Sequence, residues 1–285
     1  FIAANILLSG IYFFAFNLRY GYPSLATAVG SIVILLMITV PVLTMRTMSE
    51  ERRQKTDQLI LTAPITVGKI IAGKYLAAVT VFAVPTAVIA FYPVILSCFG
   101  TVGFAESYTA ILGYFLYGSA CIAIGLFVSC ITESQIIAAV LSFGALFLGY
   151  MMSSICGLIS VEGNMLTQIL SVYDLMSRME SMVQGTFELK AVVYFISIIA
   201  VFLFFSVQMV QKRRYQVSVK TLKMGAYSSG MIVVVLVAAV FLNLAVSELP
   251  SQYTSYDVTV EQLFSLTDTT KDMVNELQED VSIYV

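Results

Sequence analysis

Seven long apolar runs without a single Asp, Glu, Lys or Arg dominate this 285-residue chain. They fall at roughly 1–16, 26–45, 75–97, 108–130, 135–158, 191–210 and 228–246. A helix that crosses a bilayer needs about 20 consecutive apolar residues, and each run supplies them or nearly so. Composition agrees: 59% of residues are hydrophobic and 11% charged, and mean hydropathy is +0.91. Soluble domains carry about 25% charged residues, so a water-facing fold cannot hide this much apolar surface. The expected fold is an all-α polytopic membrane protein.

The connecting segments differ in sign. Segments 46–74 and 211–227 contain Arg46, Arg52, Arg53, Lys55, Lys69, Lys74, Lys212, Arg213, Arg214, Lys220 and Lys223. The segments alternating with them hold only Arg19, Arg178, Lys190 and Lys271, together with most of the acids. By the positive-inside rule the basic segments are cytoplasmic. The first span then runs outward, and the tail after residue 246 lies outside the cytoplasm. A net charge of −2 gives no reason to expect a nucleic-acid partner.

Residues 68–75, "GKIIAGKY", come within one residue of the phosphate-binding pattern G-x-x-x-x-G-K-[S/T]. Tyr75 stands where a hydroxyl would hold Mg²⁺, "KIIA" fills the loop with apolar bulk, and the chain continues into a span. Lys69 and Lys74 read instead as anchors at the inner interface. The chain has no His, which removes Ser-His-Asp triads and H-E-x-x-H zinc sites. Charge-free spans lack the acids of an intramembrane aspartyl protease and count against ion-coupled carriers, which place ionisable groups at mid-membrane. No catalytic, cofactor-binding or metal-binding residue is expected. The four cysteines, Cys98, Cys121, Cys130 and Cys156, read as small buried hydrophobes, with a Cys98–Cys156 disulfide left open.

Two segments between spans have their own pattern. "YDLMSRMESMVQG" spaces Leu175, Met176, Met179, Met182 and Val183 helically and ends at Gly185. It reads as an interfacial helix on the outer leaflet, a substrate gate being the alternative. On the cytoplasmic side, Thr47 with Glu50 fits a capping box, Glu51 and Lys55 make an i,i+4 pair, and Pro64 stops the helix. An amphipathic helix over about 48–62 follows, either a plain interfacial strut or a docking surface for a soluble motor. Small-residue spacings such as Gly113–Gly118 and Ala120–Gly125 suit helix packing.

Beyond residue 246, "YDVTV" and "VSIYV" alternate like strands, and "TDTTKDMVNELQ" between them starts from a Thr267 or Asp268 cap. They resemble the opening of a water-soluble α/β domain. Phe1 within an apolar run and an ending in mid-strand suggest a piece of a longer protein.

The stretch Pro41, Thr44, Met45, Arg46, Glu50, Glu51, Thr56, Leu59, Leu61, Pro64, Ile65, Gly73, Lys74 resembles the signature of ABC-2 type transporter permeases. In that pattern P-x-x-T-M-R leads to glutamates, then "GT-x-E-x-L-L-x-x-P-[IV]", then G-K. Lys55 replaces the usual glycine and Gln58 the usual glutamate. Within the family the chain is most similar to the gliding-motility-associated branch. From about residue 218, "LP-x-x-Y…D-V-T…L-x-S-L-[ST]-x-x-T" resembles that system's auxiliary subunit.

The resemblance implies a six-span permease bundle at 1–217, a linker and seventh span at 218–246, and the start of an extracytoplasmic α/β domain at 247–285. It implies a multi-pass subunit of an ATP-driven exporter in a bacterial cell membrane, surrounded by membrane lipid. A separate cytoplasmic ABC ATPase subunit would bind ATP and Mg, and a second permease half, identical or related, would complete the path. The implied ATPase-coupling contacts are Glu51, Thr56, Leu59, Thr62 and Pro64. The rival readings are a membrane scaffold that anchors the extracytoplasmic part, and an ion-coupled secondary carrier.

Overall fold

The computed structural model describes residues 1–57, 64–159, 164–214, 219–250 and 254–259. Its elements are α1 (Ile2–Phe13, continued by a π-helical segment Phe14–Arg19), α2 (Ala26–Thr44), α3 (Ser49–Arg53), α4 (Val67–Ile89) and α5 (Tyr92–Ser97). There follow α6 (Phe104–Ile131), α7 (Gln135–Ile159), α8 (Met165–Leu170), α9 (Leu175–Val183), β1 (Thr186–Glu188), α10 (Leu189–Arg214), α11 (Val219–Ser247) and β2 (Ser255–Asp257). Among the described residues seven helical stretches are long and apolar enough to cross a membrane, in the order the seven runs predict. The third begins at Val67 rather than 75, because the helix carries Lys69 and Lys74 ahead of the uncharged run and no proline interrupts it there.

The bundle is built around α6. Its span window is 78% buried, and α2, α4, α7, α9 and α10 all pack on it. Small residues make these approaches possible. A Cβ on Gly118 would overlap the ring of Phe82 in α4, and one on Gly125 would overlap Thr44 Oγ1 at the end of α2. Close backbone approach through small residues is how helices associate where lipid removes the hydrophobic driving force between them. Phe82, Tyr114, Tyr117 and Phe195 are fully buried at this centre.

The outside of the bundle is apolar. Ile38 is 60% exposed, Leu76 60% and Ile136 76%, a surface that suits lipid and not water. α11 stands at the edge: among the described residues its substantial helix contact is with α10, and its window Gly230–Ser247 is 0% buried. Asn243 Nδ2 donates to Ser197 Oγ at 2.7 Å, and Lys190 Nζ donates to Ser247 O at 2.9 Å.

The end of the bundle opposite α3 is closed by α9. Asp174 caps it, its carboxylate accepting from Ser177 N at 3.1 Å, and Gly185 ends it at φ +86°. Leu175, Met179, Met182 and Val183 are buried, with Met182 set against Gly113 and Leu175 against Gly149. The helical spacing is therefore as the sequence suggests, but the apolar face turns into the bundle and not onto a lipid leaflet. Beside it Tyr173 donates to Ala145 O at 3.3 Å, and burial raises its phenol pKa. β2 pairs antiparallel with β1, Phe187 opposite Tyr256, so the strand expected in "YDVTV" is present in part. The helix and strand expected beyond it lie outside the described residues. Cys121 and Cys130 are buried as expected, but Cys98 is exposed and Cys156 half-buried, and the disulfide left open between those two is not formed.

Candidate functional site

The site lies at the basic end, where the chain leaves α2 and enters α3. Thr44 Oγ1 donates back to Val40 O at 3.0 Å, and Thr47 Oγ1 donates to Thr44 O at 2.7 Å. These bonds occupy helix-terminal carbonyls and turn the chain. The capping box expected from Thr47 and Glu50 is not formed, because the Thr47 hydroxyl points back to α2. α3 has no side-chain cap from its own segment. Ser129 of α6 supplies one: its Oγ accepts from Met48 N and from Ser49 N, each at 3.1 Å. A missing N-cap costs about 1 kcal/mol.

α3 is also shorter than expected. It ends at Arg53 instead of running to about 62, because Lys55 adopts φ +59°. Lys55 N donates to Arg52 O at 3.1 Å and Thr56 N to Glu51 O at 2.9 Å. Those two bonds, 5→2 and 6→1, with a left-handed residue between, form a Schellman motif. A glycine takes that left-handed position without strain, whereas an L-residue pays about 1–2 kcal/mol. The glycine that Lys55 replaces in the permease signature thus sits where the backbone asks for one.

The break redirects Glu51. It does not pair with Lys55, whose side chain is exposed beyond the helix end. Its Oε1 accepts from Lys74 Nζ at 2.5 Å, and the same ammonium donates to Thr47 O at 2.6 Å. Lys74 is therefore not a free interfacial anchor. It ties α4 to the entry of α3 with its side chain 21% exposed and that of Glu51 28%. Lys69, one turn earlier, is exposed as an anchor would be. A third tie comes from Arg52, which donates to Cys130 O at 3.2 Å and to Glu133 Oε1 at 2.8 Å.

Of the five residues expected to meet an ATPase, Glu51 thus faces α4. Thr56 is half-buried, with Oγ1 donating to Glu51 O at 3.2 Å. Pro64 is exposed, just before the extended Thr66 that starts α4. Leu59 and Thr62 lie outside the described residues. Arg53, Gln54 and Lys55 form the exposed edge. Ser129, Arg52 and Glu133 are the participants that sequence reasoning missed. Ser129 lies in an apolar run with nothing to distinguish it from a packing serine, and Glu133 is 81 residues from Arg52.

The near-miss phosphate motif is resolved by its backbone. Gly68, Gly73, Lys74 and Tyr75 all lie inside α4, and Lys69 N and Ile70 N are spent on Thr66 O. A helix offers no loop of free N–H groups to cradle a phosphate. Among the described residues no group of three or more metal-ligating side chains comes together.

A lipid-facing bundle of seven apolar helices with a clamped short helix at its basic end is the architecture of a multi-pass membrane protein. The model of the ABC-2 family transporter protein family matches residues 11–207, and the chain belongs to that family. It is accordingly a membrane permease subunit of an ABC transporter. No curated protein and no solved structure matches the chain.

Proposed function

We propose that this permease subunit belongs to an ATP-driven exporter and receives its motion through the α3 platform. The basic end is the cytoplasmic one, on the positive-inside argument. A separate ATPase subunit binds ATP and Mg and docks on the exposed edge of Arg53, Gln54 and Lys55 and on the connection that follows in sequence, which carries the expected contacts Thr56, Leu59, Thr62 and Pro64, while Glu51 fixes the platform from behind. A second permease half, identical or related, completes the transport path. The observation that carries this reading is the clamping of a five-residue helix to α4 and α6 by side-chain bonds, while Arg53, Gln54 and Lys55 stay exposed. A plain interfacial strut has no need of such fixation; a surface that transmits force does.

The family match ends at residue 207, before α11. That boundary supports a second joined unit: a seventh span leading into an extracytoplasmic α/β domain, as in the auxiliary subunit of the gliding-motility-associated branch. Purification of the tagged full-length protein in mild detergent tests the docking. A stoichiometric ATPase should accompany it and be lost when Thr56 and Leu59 are replaced by Asp. Purification of a folded chain with no nucleotide-binding partner would leave the scaffold reading in its place.

A further inference from the structure

The ends of two helices satisfy each other across 80 residues of sequence. α3 begins with backbone N–H groups that its own residues do not cap, and the buried Ser129 of α6 accepts from two of them while donating to Met45 O at 3.3 Å. α6 in turn ends with carbonyls that lack intrahelical donors. Arg52 of α3 donates to one of these, Cys130 O, and its charge sits where the negative end of the helix dipole favours a cation. The guanidinium also holds Glu133 in the turn to α7. The exchange is reciprocal: α6 caps the start of α3, and α3 caps the end of α6.

From this we infer that Ser129 and Arg52 are positioning residues that lock α3 to α6, so that a push on α3 displaces the buried central helix. The inference rests on the docking of an ATPase at α3 and names the route its motion takes. That route differs from the one the linear sequence suggests, through the two spans that flank the connection. α2 joins α3 through the turn 45–48, and α4 is tied by the Lys74 ammonium at the end of a flexible stem. The bonds to Ser129 are made by backbone N–H groups and leave no such slack. Because α6 touches α2, α4, α7, α9 and α10, its displacement reaches every one of these helices and the far-end closure made by Met182 on Gly113.

The experiment uses the full-length protein with its ATPase subunit in lipid nanodiscs, with Cys98→Ala removing the exposed native thiol. Spin labels on cysteines placed at Gln54 and Ile131 read the α3–α6 distance, and labels at Ala3 and Ile131 read α6 against α1. On ATP binding the Ala3–Ile131 distance should shift while Gln54–Ile131 stays fixed. In Ser129→Ala the pattern should invert: Gln54–Ile131 shifts, and the Ala3–Ile131 shift is lost while ATP hydrolysis persists. Ser129→Thr, which keeps the hydroxyl, should restore the native pattern. A Gln54–Ile131 distance that changes in the unsubstituted protein, an Ala3–Ile131 distance that does not, or a Ser129→Ala protein that passes the motion on unaltered would each overturn the proposal. If Ser129→Ala does not fold, the two distances in the unsubstituted protein decide alone. Absence of any ATPase on the purified protein is a different failure, since it removes the docking on which the inference rests.

Discussion

α6 and α11 are near twins in length, 28 and 29 residues, and both are apolar throughout their span windows. Yet α6 is the most enclosed helix of the molecule, 78% buried over its window, and α11 is 0% buried. Hydropathy does not separate them, since mean values of 2.0 and 2.6 both mean only that lipid is an acceptable neighbour. What separates them is the size of the side chains at a few positions. α6 carries Gly113, Gly118 and Gly125 at points where Met182, Phe82 and Thr44 come into contact, whereas Gly230 in α11 has nothing near it. In a bilayer, burial is decided by fit and hydrogen bonding more than by apolarity.

The largest test of that contrast is to give the glycines side chains. Gly118→Leu forces bulk into the Phe82 ring and should destabilise by more than the ~1–3 kcal/mol usual for overpacking, because the obstacle is a buried ring on a packed helix. Thermal inactivation followed by size-exclusion chromatography in detergent should show little folded protein. Gly230→Leu should leave the melting profile unchanged; an equal loss in both would break the contrast.

A second, smaller effect concerns the platform. Lys74→Met strands the Glu51 carboxylate and Thr47 carbonyl, and should cost roughly 1–3 kcal/mol. The double variant Lys74→Met, Glu51→Gln should recover part of it in the same melting assay. If the single variant is as stable as the unsubstituted protein, the tie between α4 and α3 carries no weight.

Lys55→Gly should act in the opposite direction. Relieving the left-handed residue at φ +59° should stabilise by about 1 kcal/mol, less what glycine gains in unfolded-state freedom. A fall in melting temperature would mean that the Lys55 side chain does something its backbone does not reveal. Smallest of all, Asn243→Leu removes the bond to Ser197 and should cost about 0.6 kcal/mol, the average for such bonds in membranes. A much larger loss would make α11 an integral part of the bundle rather than its edge.

Much of this architecture is written locally. Seven uncharged runs give seven spans, and Gly185 ends α9 at a positive φ because nothing else in that segment stops a helix so cheaply. The Gly118 and Gly125 spacings also serve packing, as their type suggests. Long-range choices are the ones the linear chain hides. Glu51 has an adjacent cation at the right spacing in Lys55, but the Schellman turn carries that residue away and Lys74 takes its place. Thr47 has the pattern of a cap, yet its hydroxyl prefers the nearer carbonyl of Thr44, and Ser129 caps α3 instead. α9 shows its apolar face in sequence but not what that face meets, since only the assembled bundle brings Gly113 and Gly149 beneath it. The contacts of Ser129, Lys74 and α9 join residues far apart in the chain, where local pattern has nothing to register; the turn that ends α3 is local, but Lys55 holds a position where a glycine would have announced it.

The most direct test of the account places a photo-crosslinking amino acid at Lys55 on the exposed edge beyond α3, and at Phe99, which is 76% exposed beyond α5. Irradiation of native membranes followed by mass spectrometry identifies the protein captured at each position. The account predicts a nucleotide-binding subunit captured from Lys55 and none from Phe99. Capture of that subunit from Phe99, or from neither position while the chain is folded in the membrane, would contradict it.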